Sequence, residues 1–197
     1  SLFLYSWYRA QGLRMLPRGP EWRSVVSLGI PNMLGWHTAS ILGVKELASG
    51  RAAILGFTMP IWTAILAVTF LGERLSRAKL AAVVLGLIGV VIIVRPGAGA
   101  IDAGHLVVLG AAVCFGISLV LVKSLTRTDS VVRIIFWMLI IQSAVGLVPA
   151  LYEWRNPSLE LWPWILLIAF TGMSSHFCMA RALGYADATV ISPMDFL

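Results

Sequence analysis

Asp195 is the one carboxylate of this chain that falls inside an apolar run instead of at its edge. It stands about eight residues into the run 188–197, roughly 12 Å deep at about 1.5 Å of rise per helical residue. A charge at that depth in a bilayer costs about 2.5–3.5 kcal/mol on insertion scales unless it is paired or hydrated. Asp195 is therefore expected to face the interior of a helix bundle. There it can couple a proton, anchor a cationic group of a solute, or pair with a basic side chain.

Other polar groups are scattered through the apolar runs: Asn32, His37, Thr38, Thr58, Gln142, Ser174, Ser175 and His176. Each can bond a backbone carbonyl or a neighbouring helix, or line a wet cavity. His37 and His176 have side chains that titrate near neutral pH, although a lone histidine is weak evidence for a proton relay. Trp36, Trp62 and Trp137 lie deeper in their runs than the other tryptophans. They serve either as packing or as an aromatic lining for a solute path, and Trp36 and Trp62 join the candidate site. Ser, His and Asp occur without a nucleophile motif, and no phosphate-binding glycine loop is present. Neither hydrolysis nor an ATP-driven cycle is indicated, and no cofactor or metal is expected. Cys114 and Cys178 fall in different runs and read as small hydrophobes.

The elements that must position these groups are membrane helices. Residues 24–44, 52–72, 80–94, 103–122, 134–152 and 161–180 contain no Asp, Glu, Lys or Arg. A hydrocarbon core of about 30 Å needs about 20 apolar residues of helix. Partial runs at 2–8 and 188–197 bring the count to eight segments. Hydrophobic residues make up 59% of the chain and charged residues 12%, against about 25% charge in globular chains. Neither partial run is long enough to cross alone, so the chain is expected to be an internal piece of a longer protein.

Turn chemistry separates the runs at Pro17-Arg18-Gly19-Pro20, at Gly72-Glu73-Arg74-Leu75-Ser76-Arg77, at Arg95-Pro96-Gly97 and at Asn156-Pro157-Ser158. Sorting alternate loops to opposite faces puts eleven of the 15 Lys and Arg on one face. The positive-inside rule makes that face cytoplasmic. The net charge of +6 is thus topological. It forms no continuous basic patch, and nucleic acid is not an expected partner. Glu73 and Arg74 read as a turn and helix cap in the loop.

The segment from Lys45 to Leu55 and the one from Arg181 to Ile191 share a pattern. Each ends a run on a basic residue with Leu two positions on, passes through small residues and a charge, and enters a new run carrying a proline, Pro60 or Pro193. Five spans separate the two copies, and an odd number implies opposite orientation in the membrane. Inverted repeats of this kind characterise secondary transporters with a site between the halves. Pro60 and Pro193 remove backbone hydrogen bonds and are candidate hinges. Small residues at Ala52, Gly56, Pro60 and Ala64, and again at Ala78, Ala82 and Gly86, are expected to let helices approach closely.

Gly50-Arg51-Ala52-Ala53-Ile54-Leu55-Gly56-Phe57-Thr58-Met59-Pro60-Ile61-Trp62, followed by Leu71-Gly72-Glu73-Arg74-Leu75, resembles the fourth helix and following loop of EamA-like proteins of the drug/metabolite transporter superfamily. Ala180-Arg181-Ala182-Leu183, continuing to Ser192-Pro193-Met194-Asp195-Phe196-Leu197, resembles the matching region of a second repeat. The resemblance implies an all-α integral membrane fold of ten helices in a 5+5 inverted repeat. Residues 1–97 would hold the end of helix two to helix five, and residues 98–197 helix six to the start of helix nine. It also implies a central cavity between helices three, four, eight and nine.

The expected function is secondary active transport of a small metabolite, such as an amino acid or related compound, with export as the family's usual direction. The cycle would be alternating access in a bacterial cytoplasmic membrane, with protons as one candidate coupling ion and a homodimer as one candidate assembly. The candidate solute-contacting residues are Asp195, His37, Trp36, Thr58, Trp62, Gln142, Ser175 and His176. A non-transporting scaffold or channel-like subunit is the alternative. An intramembrane enzyme is the weaker one, since no His and carboxylate cluster stands at metal or acid/base spacing.

Overall fold

The structure, a computed structural model, describes residues 6, 21–47, 49–74, 76–94, 103–152 and 154–194. Every element among them is helical. That is the expected answer for an apolar chain, since a helix pairs its own backbone groups where no water can. A helix stands at each of the six uncharged runs.

The first run is α1 (Glu21–Gly29), a π-helical stretch (Ile30–Thr38) and α2 (Ala39–Glu46) in unbroken succession. Pro31 opens the π stretch and supplies no N–H to a regular ladder. Side chains five residues on fill the wider turn. His37 Nδ1–H donates to the Asn32 carbonyl at 2.9 Å, and the Thr38 hydroxyl donates to the Met33 carbonyl at 3.3 Å. The sequence reading anticipated a plain helix here. Bonding to the fifth residue widens the turn and shifts which side chains face inward, and Asn32 within it is buried.

The second run is interrupted. It comprises α3 (Ser49–Gly56), a turn at Phe57 and Thr58, and α4 (Met59–Leu71), with Pro60 in the first turn of α4. Gly72 closes α4 in the left-handed region at φ 66°, where a side chain would be strained. Next come α5 (Arg77–Val94), α6 (Ala103–Leu125), α7 (Val131–Tyr152), a 3₁₀ turn (Leu159–Leu161), α8 (Trp162–Tyr185) and α9 (Ala188–Met194). Gly50–Leu71, Ala103–Leu125, Val131–Tyr152 and Leu159–Tyr185 are the four described stretches long and apolar enough to cross a membrane. The partial run at 2–8 lies outside the described residues, apart from Ser6.

α6 is the hub. It packs against α1, the π stretch, α2, α3 and α4 of the first half and against α8 and α9 of the second. Glycines make this possible at several crossings, of which two show it plainly. A Cβ on Gly43 would run into Val108, and one on Gly116 would lie 3.0 Å from the Thr63 nitrogen. The first small-residue stripe behaves as expected, with Ala52 and Ala64 buried. The second does not: Ala78, Ala82 and Gly86 are exposed, because α5 leans on the bundle chiefly through α3 and α4.

The outer faces are apolar. Leu85 and Ile92 of α5 and Leu166, Ile168 and Phe170 of α8 are all exposed, as suits a surface solvated by lipid. Trp22, Trp154, Trp162 and Trp164 are exposed near helix ends, where an amphipathic ring sits well. Trp137 proves to be part of the same layer as Trp22, its ring edge-on at 4.8 Å between centroids.

Candidate functional site

A polar cluster joins three helices at the centre of the described bundle. Gln142 of α7 donates through Nε2 to Asn32 Oδ1 at 3.0 Å. Asn32 in turn donates through Nδ2 to Ser118 Oγ of α6, also at 3.0 Å. Asn32 and Ser118 are 4% and 2% exposed, so in an apolar surround each amide or hydroxyl needs the partner it has found. The wide π turn supplies the reach, since its own carbonyl at Asn32 is occupied by His37.

Beside this cluster lies a cavity of about 180 Å³, walled by Asn32, Phe115, Ser118 and Met138 and, across it, by Ser175 and His176 of α8. The two halves of the chain both contribute: Asn32 from the first, the remainder from the second. The lining mixes apolar surface with a few hydrogen-bonding groups, the usual make-up of a small-molecule site. A second, more open cavity of about 290 Å³ lies between α2, α3 and α6, lined by Trp36, Ser40, Gly56, Phe57 and Met59. Ser40 Oγ is buried with no hydrogen-bond partner among the described residues. The Trp36 and Phe115 rings meet edge-on at 5.1 Å, so one aromatic pair stands between the outer cavity and the inner one.

The candidate residues thus separate into groups. Ser175 and His176 line the inner cavity, Gln142 is tied to its wall through Asn32, and Trp36 lines the outer one. His37 serves the backbone of the π turn. Thr58 and Trp62 line neither cavity. Thr58 Oγ1 donates to the Leu55 carbonyl at 2.7 Å and accepts from Trp62 Nε1 at 3.2 Å, within the turn just before Pro60. Pro193 lies inside α9, at the place equivalent to Phe57 and not to Pro60. Asp195 lies outside the described residues.

Ser118 was not singled out from the sequence. Its signal was its face: Val108, Ala111, Phe115 and Ser118 follow helical spacing on the buried side of α6. Among the described residues no three His, Cys, Asp or Glu side chains gather to hold a metal ion.

A bundle of apolar helices around a small polar cavity defines an integral membrane protein with a place for a solute. The chain matches the EamA-like transporter family over residues 1–95 and again over 102–197, and it belongs to that family. It is similar to an S-adenosylmethionine uptake transporter of Rickettsia bellii, at 26% identity over 81% of this chain and 55% of the relative. It is similar also to a riboflavin transporter of Vibrio cholerae, at 29% identity over 82% of this chain and 58% of the relative. A riboflavin transporter of Rhizobium johnstonii is 30% identical over 79% of this chain and 54% of its own length. The chain spans about half the length of the curated relatives it matches. No solved structure matches it.

Proposed function

We propose that the whole protein is a secondary active transporter that carries a small metabolite across a bacterial cytoplasmic membrane by alternating access. Its solute would contact Asn32, Ser118, Ser175 and His176, with Gln142 orienting the Asn32 amide. The observation that carries this reading is the inner cavity itself, built by side chains from both halves of the chain. Residues 1–97 and 98–197 would be the two oppositely inserted repeats, rocking about that cavity.

The lining and the relatives' names together support a substrate class. Amides, hydroxyls and an imidazole beside Phe115 suit a planar ring with hydrogen-bonding edges. The relatives are named for S-adenosylmethionine and riboflavin, and both molecules carry a nitrogen heterocycle. Such a metabolite is favoured here over a simple amino acid. Because the Rickettsia relatives are named for uptake, import is favoured over the export anticipated from the family at large. Proton coupling through Asp195 belongs to the same proposal.

The test is the full-length protein in proteoliposomes, offered labelled riboflavin, S-adenosylmethionine and a set of amino acids, with and without a pH gradient. Saturable uptake of a heterocyclic solute supports the proposal. Flux that never saturates, or chemical conversion without flux, overturns it.

A further inference from the structure

We propose that Glu73 is a positioning residue for transport: it latches the first half of the chain to the start of α9, and the latch must release for that end of the molecule to open. The proposal rests on the transport reading above and adds a residue that the inner cavity does not contain.

Glu73 sits in the connector between α4 and α5, yet it is only 8% exposed. Its carboxylate does not cap its own neighbour. Oε1 accepts from the Ala188 N–H at 2.8 Å and Oε2 from the Thr189 N–H at 3.1 Å. Both are among the first N–H groups of α9, which have no partner within their own helix. A carboxylate there also meets the favourable end of the helix dipole. The contact crosses from one half of the chain to the other.

Two lysines complete the arrangement around the same corner between α8 and α9. Lys79, at the start of α5, reaches Asp187 Oδ2 at 3.1 Å and Thr189 Oγ1 at 2.7 Å. Lys123, near the end of α6, donates to the Leu183 and Ala186 carbonyls at 2.6 and 2.7 Å. The negative group therefore holds the N-terminus of α9 and a positive group holds the C-terminus of α8. The corner is fixed by charge at both ends, with its orphan backbone groups satisfied by side chains from elsewhere.

These bonds behave differently when the bundle moves. Lys123 joins α6 to α8 within the second half, so it travels with the corner. Glu73 and Lys79 bridge the halves, so they must let go if α9 withdraws from α4. Opening returns a carboxylate, an ammonium and two backbone N–H groups to water, where each finds new partners. Polar contacts that water can replace suit a latch, whereas the apolar packing of Ala67 and Ala188, both fully buried, suits the surfaces that the latch holds together.

The experiment uses the full-length protein with Cys114 and Cys178 replaced by alanine. In one arm Ser192→Cys, at a buried position on α9, is alkylated by an impermeant maleimide added from the side of the basic loops. Glu73→Ala should raise the alkylation rate by about tenfold, the size of shift expected when a contact biases two states. Glu73→Gln, which keeps one acceptor, should fall between. In the other arm Lys79→Cys and Asp187→Cys are bridged by a reducible bifunctional thiol reagent, leaving Glu73 in place. Bridging should stop solute flux, and reduction should restore it. Unchanged alkylation in Glu73→Ala, or full flux with the bridge intact, overturns the latch. Absence of saturable flux from the unmodified protein overturns the transport reading instead, and the alkylation arm still decides whether Glu73 holds the corner shut.

Discussion

Asn32 and Gln142 lie 110 residues apart in the chain and 3.0 Å apart in space, joined by one amide-to-amide hydrogen bond between the π turn and α7. Asn32 passes the interaction on to Ser118, so the middle residue serves two helices at once. Removing it strands two partners, while removing Gln142 strands one. Among helices in lipid, such bonds average about 0.6 kcal/mol and reach about 1.7 kcal/mol.

The expected outcome is an asymmetric pair of variants. Asn32→Ala should lose more stability than Gln142→Ala, and a double-mutant cycle between them should show coupling of about 0.6–1.7 kcal/mol. Thermal unfolding in detergent or lipid nanodiscs measures it. Additive effects would mean that the two amides do not act together. On the proposed function both variants also lower solute affinity, read as a raised KM in proteoliposomes.

Gly116 tests the packing that places this cluster. A Cβ there would lie 3.0 Å from the Thr63 nitrogen and 3.2 Å from the Trp62 carbonyl carbon. Both are backbone atoms of α4, which cannot rotate away as a side chain would. Gly116→Ala is therefore expected to push α4 from α6 at a cost of about 1–3 kcal/mol. Gly89→Ala is the control, since nothing stands within 4 Å of its Cβ position. It should be neutral or stabilising by up to about 1 kcal/mol through helix propensity. Equal unfolding temperatures for the two variants would refute the close approach.

Thr58 supports the turn before Pro60. Its hydroxyl donates to the Leu55 carbonyl and receives the Trp62 indole N–H. Thr58→Val keeps the shape and loses both bonds, whereas Thr58→Ser keeps the hydroxyl. We expect Thr58→Val to destabilise by about 1–3 kcal/mol, because it leaves the indole N–H unsatisfied, and Thr58→Ser to stay near the parent. If the two variants unfold alike, the hydroxyl has no such role.

The helices were legible because their signal is local: six runs without charge, closed by proline, glycine and basic residues, became helices. The turn that interrupts the second run just before Pro60 has the same local origin. The π turn was not legible, because a proline in the middle of a run also suits a kinked α-helix, and the contacts of Asn32 with α6 and α7 that accompany the wider turn are distant in sequence. Glu73 could be read as a cap from its place after Gly72, but its partner on α9 is 115 residues away. Ser118 is one small polar residue in a long apolar helix. What makes it part of a cluster is a neighbour 86 residues distant. Local spacing carries no record of such contacts.

Asp195 remains the sharpest prediction from sequence, and it lies just beyond the last described turn of α9. If it couples protons, Asp195→Asn should abolish uptake driven by a pH gradient while leaving expression and unfolding temperature unchanged. Exchange of labelled for unlabelled solute, which needs no net proton movement, should persist in that variant. If Asp195 instead anchors a cationic group of the solute, both modes should fail together and binding should weaken in the absence of any gradient. If it only pairs with a basic side chain, Asp195→Asn should unfold at lower temperature and transport in proportion to the protein that remains folded. Measuring the two flux modes and the unfolding temperature on one preparation separates the three roles, and wild-type behaviour in all three measurements removes Asp195 from the mechanism.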